Sequence, residues 1–232
     1  VEAAHLLFRG DLDAVVVTHP HSDHIGSSYE VIKNTSIQEV WAAGYNHPST
    51  SKKDMLNAIE SKKSTSELAF KVPAGAGGTL KEGMQLDLGP GTRGWLLRTA
   101  PDAENTNESS LVLLFYYGET GILLTGDAEH AGEKELIKQW GKQLDVDILK
   151  TGHHGSRTSS IPPFVETVQP EHSVMMVGHY NTFGHPSDEV VSRLKRAGSQ
   201  IHRTDQDGTI FMFTDGTSIR IRKEPAVSAV ND

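Results

Sequence analysis

The chain has 232 residues, 36% of them apolar and 22% charged, with 30 acidic against 22 basic side chains and a formal net charge of −8. That length supports one sizeable core or at most two small ones. The absence of cysteine excludes disulfides, zinc–thiolate sites and thiol nucleophiles, and the acidic balance argues against passive nucleic-acid binding, although metal ions can lend positive charge to an enzyme acting on phosphodiesters.

Residues 12–18, LDAVVVT, are β-branched and almost continuously apolar, which predicts a strand buried on both faces. A helix is expected from Ser22–Asp23 to about Lys33, and a strand over 37–43. Residues 49–70 read as a helix, and Lys52, Lys53, Lys62 and Lys63 on it form the densest basic patch before the C-terminal half, most simply a solvated face. VPAGAGG, 72–78, is turn material, and 79–99 reads as short antiparallel strands with turns at EG and GPGTRG. A polar loop fills 99–110. LVLLFYY and GILLTGD then flank GET, a hairpin pattern, and 131–140 is a short helix. DVDILKTGHHGS (145–156) and SVMMVGHYNTFGHP (173–186) each run a strand into histidines. Residues 187–198 form an amphipathic helix with Ser187 as N-cap and Gly198 as stop, and three short strands follow. No composition shift marks a boundary, so the expectation is a single domain over 1–223 and a frayed tail, 224–232. The class is α/β with mixed sheets. No apolar run approaches a membrane span, and VEAAHLLFRGDLD at the N-terminus lacks the apolar core of a secretion signal. Compartment and oligomeric state stay open.

One pattern recurs four times: an apolar strand followed at once by a ligand-type side chain. The strands end at His19, at Asp127, at His153 and His154, and at His179, with His185 six residues further on. If they end at one edge of the layers, their ligands converge there. His5, His47, His130 and His202 carry no such pattern and read as ordinary surface or core residues. In HPHSDH, His19 and His21 stand two apart in extended chain and point the same way. Asp23 and His24 are adjacent in a first helical turn and diverge. Together they exceed what one ion takes from one loop, which points to two ions with Asp127 as a natural bridging carboxylate.

With those residues in view, the chain resembles the metallo-β-lactamase superfamily, whose H-x-H-x-D-H signature stands here as His19, His21, Asp23 and His24. The resemblance implies an αββα sandwich and two divalent ions, zinc or manganese, with magnesium possible. It places one ion on His19 and His21, the other on Asp23, His24 and a late histidine, His185 ahead of His179, with Asp127 between them and a bound hydroxide as nucleophile. THPHSDHIG, NESSLVLLFYYGETGILLTGD, DILKTGHHGS, GHYNTFGHP and GSQIHRTDQDGTIFM together look like the hydrolase domain of ComEC-type DNA-uptake proteins and their free-standing relatives. Two departures stand out. Only 18 residues precede His19, so the expectation is that one layer's outer strands are missing, that the chain is a fragment of a longer one, or that another part of an assembly replaces them. The family's middle histidine is absent, and Asn105 or Asn107 occupies its approximate place, leaving the first ion to an amide, to water, or to His153 or His154.

The leading expectation is a metal-dependent phosphodiesterase or nuclease acting on DNA, with nucleic acid as substrate rather than stable partner. Asp23, His153 and His154 are the candidate catalytic residues, the histidines as proton donors to the leaving group. His154, Ser156 and Arg157 are candidates to hold a phosphate. The same chemistry would serve an ester, lactone, thioester or β-lactam, given an apolar pocket drawn from Trp41, Tyr45, Tyr180 or Phe183. A third possibility is a non-catalytic binding module of the same fold.

Overall fold

A computed structural model describes residues 11–43, 49–64, 67–71, 83–99 and 105–225. The strand expected at 12–18 forms β1 (Leu12–Val17), which pairs in parallel with β2 (Ile37–Ala42); β2 pairs in parallel with β3 (Ala69–Lys71). β1 is not buried on both faces. It takes an edge position among the described residues, and of its six residues Val17 alone is buried. One side of this sheet carries a core of Ile25, Ile32, Val40, Met55, Ile59 and their neighbours.

Between β1 and β2 the single expected helix is broken into α1 (Ser22–Ile25) and α2 (Ser28–Asn34). The Ser28 hydroxyl donates to the Ile25 carbonyl at 2.7 Å, taking an acceptor that a continuous helix would use for its backbone. α3 (Thr50–Lys63) begins at Ser49, whose hydroxyl accepts from the Lys52 N–H, and buries Met55 and Ile59 four residues apart on one face. The helix ends earlier than its sequence predicts, because Ala69, Phe70 and Lys71 pair with β2 instead. Two lysines of the basic patch are engaged: Lys62 donates to the carbonyl of Thr35 at 2.7 Å, and Lys63 pairs with Glu60 at 3.0 Å.

The second sheet has seven strands: β4 (Met84–Leu86), β5 (Thr92–Arg98), β6 (Leu111–Tyr117), β7 (Thr120–Leu124), β8 (Ile148–Lys150), β9 (His172–Met175) and β10 (Gln200–Arg203). β4 to β7 run antiparallel, β6 and β7 forming the expected hairpin. β7 to β10 run parallel. On β6, Val112 and Leu114 alternate toward a larger core shared with α4 (His130–Trp140), α5 (Pro162–Val168) and α6 (Asp188–Arg196). Ser187 stands at the N-cap of α6 without a side-chain capping bond. A short helix, α7 (Thr204–Asp207), leads into the hairpin of β11 (Thr209–Thr214) and β12 (Ile219–Glu224), and residues 226–232 lie outside the described residues. Ile122, Leu124, Ile148, Lys150, Val174, Met176, Ile210 and Met212 line a cavity of about 300 Å³ between the second sheet and β11. Among the described residues, no helix is long and apolar enough to cross a membrane.

The start of α4 is held by a buried carboxylate. Glu108, in the 3₁₀ turn Asn107–Ser109, accepts from the backbone N–H groups of Ala131 (2.9 Å), Gly132 (2.6 Å) and Glu129 (3.2 Å). These are donors that no helix can satisfy internally. Replacing Glu108 with alanine is expected to lower stability by about 1–3 kcal/mol. An unchanged urea midpoint with an unchanged slope would show that the carboxylate does not carry this end of the helix.

Candidate metal centre

The parallel order of β7, β8 and β9 brings their C-terminal ends side by side, with Leu124 opposite Lys150 and Lys150 opposite Val174. The residues just beyond those ends are Asp127, the His153–His154 pair and Met176. The first sheet joins them through one backbone bond, Leu111 N–H to the Thr18 carbonyl at 2.9 Å, which sets His19 beside the start of β6. Gly126 permits the approach. Its φ is +56°, and a Cβ there would meet the Ser110 and Thr18 side chains at 2.9 and 3.0 Å. The Ser110 hydroxyl accepts the N–H of Asp127 at 3.0 Å.

Asp127 is the centre of the cluster. Its Oδ2 lies 3.2 Å from His24 Nε2, 3.4 Å from His154 Nε2 and 3.6 Å from His19 Nε2. Asp23 reaches His154 Nε2 at 3.2 Å, and the Nε2 atoms of His24 and His154 are also 3.2 Å apart. Asp23, His24, Asp127 and His154 thus present one donor atom each, all within 4.8 Å of one another. Burial opposes ionisation of Asp127. The hydrogen bonds from His154 and His24 and the charge of Lys150 outweigh it and hold the carboxyl far below the usual range. Lys150 donates to the carbonyls of Gly126 and Thr151 at 2.7 and 3.1 Å and approaches Asp127 Oδ1 at 3.8 Å.

His154 gives its Nδ1 to the Met176 carbonyl at 2.7 Å, an arrangement that leaves Nε2 to face the carboxylates. The bond to Asp127 raises its pKa against the opposing effect of burial. His153 and His154 both occupy the left-handed backbone region, at φ 42° and 55°. Two consecutive non-glycine residues there are uncommon. The consequence is that the pair diverges: His154 enters the cluster, whereas His153 Nδ1 sits 2.6 Å from Glu129 Oε1.

His19 is fully buried. Thr18 Oγ1 lies 3.1 Å from its Nδ1, and its Nε2 has no hydrogen-bond partner. Burial, then the neighbouring His24, pushes its pKa down to about 3, so it is a neutral donor at ordinary pH. The ring of His21 stands edge-on to His19 at 4.7 Å, and its Nε2 lies 2.6 Å from Thr106 Oγ1. Thr106, not Asn105 or Asn107, therefore faces His21. The two asparagine amides turn to Glu129, at 2.9 Å from Asn105 and 3.3 Å from Asn107.

Among the described residues, the remaining candidates are not brought into the group of Asp23, His24, Asp127 and His154. The His185 ring is 5.3 Å from His153, and burial, then the charges of His153 and His154, lowers its pKa. His179 is exposed, with Nδ1 3.2 Å from the Asp205 carbonyl. The Ser156 hydroxyl is buried and engaged by Thr158 at 2.9 Å, and Arg157 is exposed. Trp41 lies under Lys71 and bonds Glu39; Tyr45 lies outside the described residues. Among histidines read as ordinary, His202 meets His172 at 3.2 Å between β9 and β10. Thr106, Glu129 and Lys150 were not singled out by sequence. Glu129 alone left a trace, standing two residues after Asp127.

The sequence profile of the Metallo-beta-lactamase superfamily matches residues 2–179. The chain belongs to that superfamily. It is 32% identical over 200 residues to ComE operon protein 3 of Bacillus subtilis (strain 168), covering 86% of this chain and 24% of that protein. It is 38% identical over 104 residues to Competence protein ComA of Neisseria gonorrhoeae, covering 45% of this chain and 15% of that protein. The chain thus spans about a quarter or less of these relatives' length. Among solved structures, CmlA, a diiron β-hydroxylase from Streptomyces venezuelae, matches with a TM-score of 0.53 at 13% identity, over 84% of this chain and 44% of that one, which shows a shared fold. These findings bear out the family and the narrower likeness to competence proteins read from the motifs. Superfamily membership supports a hydrolase that binds divalent metal.

The donor set fits such an ion: imidazole and carboxylate atoms converge, and two buried ligand-type atoms, His19 Nε2 and Asp127 Oδ1, lack hydrogen-bond partners. Protons and metal compete for His154 Nε2, so divalent affinity is expected to fall as pH drops through the raised His154 pKa and to level off above it. Calorimetric titration with Mn²⁺ or Zn²⁺ between about pH 5 and 8 measures this. Asp127→Ala should weaken binding by more than the roughly 10- to 100-fold typical of outer-shell changes. Equal affinity in the variant would remove Asp127 from the centre.

Proposed function

We propose that this chain is a metal-dependent phosphodiesterase acting on DNA through a dinuclear site. The observation that carries the reading is the convergence of His24, His154 and Asp23 on Asp127, with the unpartnered Nε2 of His19 on its other side. Asp23, His24, His154 and Asp127 would hold one ion, and His19 and His21 the other, with Asp127 shared between them. The imidazole and carboxylate donors suit zinc or manganese better than magnesium. When bound, such a pair activates a water molecule and neutralises the charge that develops on phosphate oxygens during in-line displacement.

The protein's own groups supply the rest. Asp127 is held ionised before any ion arrives. Met176 and Thr18 fix the rings of His154 and His19 through their Nδ1 atoms. Glu129 orients His153 in the same way, which leaves the other ring nitrogen to deliver a proton to the leaving oxygen. Arg157, exposed two residues past the Gly152–Gly155 turn, would be the cation to meet a phosphate. The names of the relatives, a competence protein and a protein of a competence operon, support DNA as the substrate class.

A second reading, hydrolysis of a carbon-centred substrate, is favoured by the apolar cavity of about 300 Å³ whose wall includes Lys150. The two separate in one assay series. Purified protein with Mn²⁺, Zn²⁺ or Mg²⁺ is expected to cleave single- or double-stranded DNA and bis-p-nitrophenyl phosphate. Asp127→Ala should abolish that turnover, and His153→Ala should lower it by about 10²- to 10⁴-fold, the usual contribution of a general acid. Turnover of nitrocefin or a lactone with phosphodiesters untouched would replace the first reading by the second.

A further inference from the structure

Beyond β9, residues 176–186 form a loop that starts at the metal centre, since its Met176 carbonyl accepts from His154. Asn181 closes it. Its amide donates to the carbonyls of Gly178 (3.1 Å) and His185 (2.9 Å) and accepts the His185 N–H at 3.1 Å. On this braced loop the two largest side chains point outward: Tyr180 is 90% exposed and Phe183 81%. Rings of this size usually bury their faces, so two held in solvent by a hydrogen-bonded frame call for a partner. The Phe183 ring lies nearly parallel to His185, at 17° and 6.1 Å; His185 leads to His153 at 5.3 Å, and His153 to His154 at 6.1 Å. A file of rings thus runs from the ion cluster to an open aromatic face.

We propose that Phe183 and Tyr180 form a stacking subsite for an unpaired nucleobase a few nucleotides from the scissile phosphate. The inference rests on the phosphodiesterase reading and narrows it to single-stranded or unstacked substrate. A flat, π-faced ligand fits the open side of Phe183, and stacking tolerates any base. The acidic balance favours this route: a net charge of −8 gives little overall electrostatic attraction for a polyanion.

The test compares the whole protein on two strands of equal length, oligothymidylate and an abasic phosphodiester strand, with methyl p-nitrophenyl phosphate as a base-free small substrate. Wild type is expected to show a lower KM for oligothymidylate than for the abasic strand. Phe183→Ala and Tyr180→Ala should each shrink that preference, by about 5- to 100-fold for a lost stack, and Phe183→Trp should keep it. Equal KM for both strands, with the small diester still cleaved, would overturn the subsite and leave the phosphodiesterase reading standing. No cleavage of any phosphodiester would overturn both. A preference that survives in both alanine variants, with a change in their sedimentation, would assign the rings to contact between copies and overturn the subsite.

Discussion

The metal end of this fold depends on the close approach of three backbone segments at Thr18, Ser110 and Gly126. The Leu111–Thr18 backbone bond ties the end of the first sheet to the start of β6, and Ser110 receives the N–H of Asp127. There is no room for a side chain at 126, and the residue holds a positive φ. Only glycine satisfies both conditions cheaply. Without that contact His19 and Asp127 would belong to different sheets with nothing to set their separation. The cluster is therefore a property of how the two sheets meet.

Electrostatics follows from that geometry. Asp127 sits at the crowded point with His19, His24, His154 and Lys150 around it, and its negative charge is over-determined. His24 and His154 bring nitrogens 3.2 Å apart, an arrangement that needs a shared proton or a shared cation. Lys150, largely buried and held by two carbonyls, stands on the Oδ1 side of Asp127. Burial lowers its pKa, and the charges of Asp127 and Asp23 offset that only in part. The site is thus polarised toward receiving positive charge at the His24–His154 face.

Much of this was legible in the sequence because strand and ligand follow each other directly. An apolar run that stops at a histidine or aspartate specifies a strand with a donor at its end, and β1, β7 and β8 obeyed that much, although of β1 only Val17 is buried. What the sequence could not carry were choices made by backbone conformation and by contacts between distant segments. His153 and His154 are indistinguishable in GHHGS; two left-handed residues decide which one turns toward Asp127. Thr106 and the neighbouring asparagines are equally polar, yet the 3₁₀ turn at 107–109 sends the threonine to His21 and the amides to Glu129. The break after Ile25 rests on one serine hydroxyl. β3 was lost inside a helical pattern, because pairing with β2 overrides the propensity of three residues.

The net charge, at first an argument against nucleic acid, acquires a different sense beside this arrangement. A net charge of −8 disfavours sliding or wrapping contacts, whose strength comes from many phosphates and many released counterions. On the proposed reading, a site whose positive charge would come from bound ions works over a much shorter range. Such a site selects for the phosphate that enters it and gains little from its neighbours. On that reading further binding energy would come from uncharged contact, for which the exposed rings of Tyr180 and Phe183 are suited. An acidic chain with a cationic centre and an aromatic lip would discriminate by local fit, and its binding would depend less on salt than that of a basic groove.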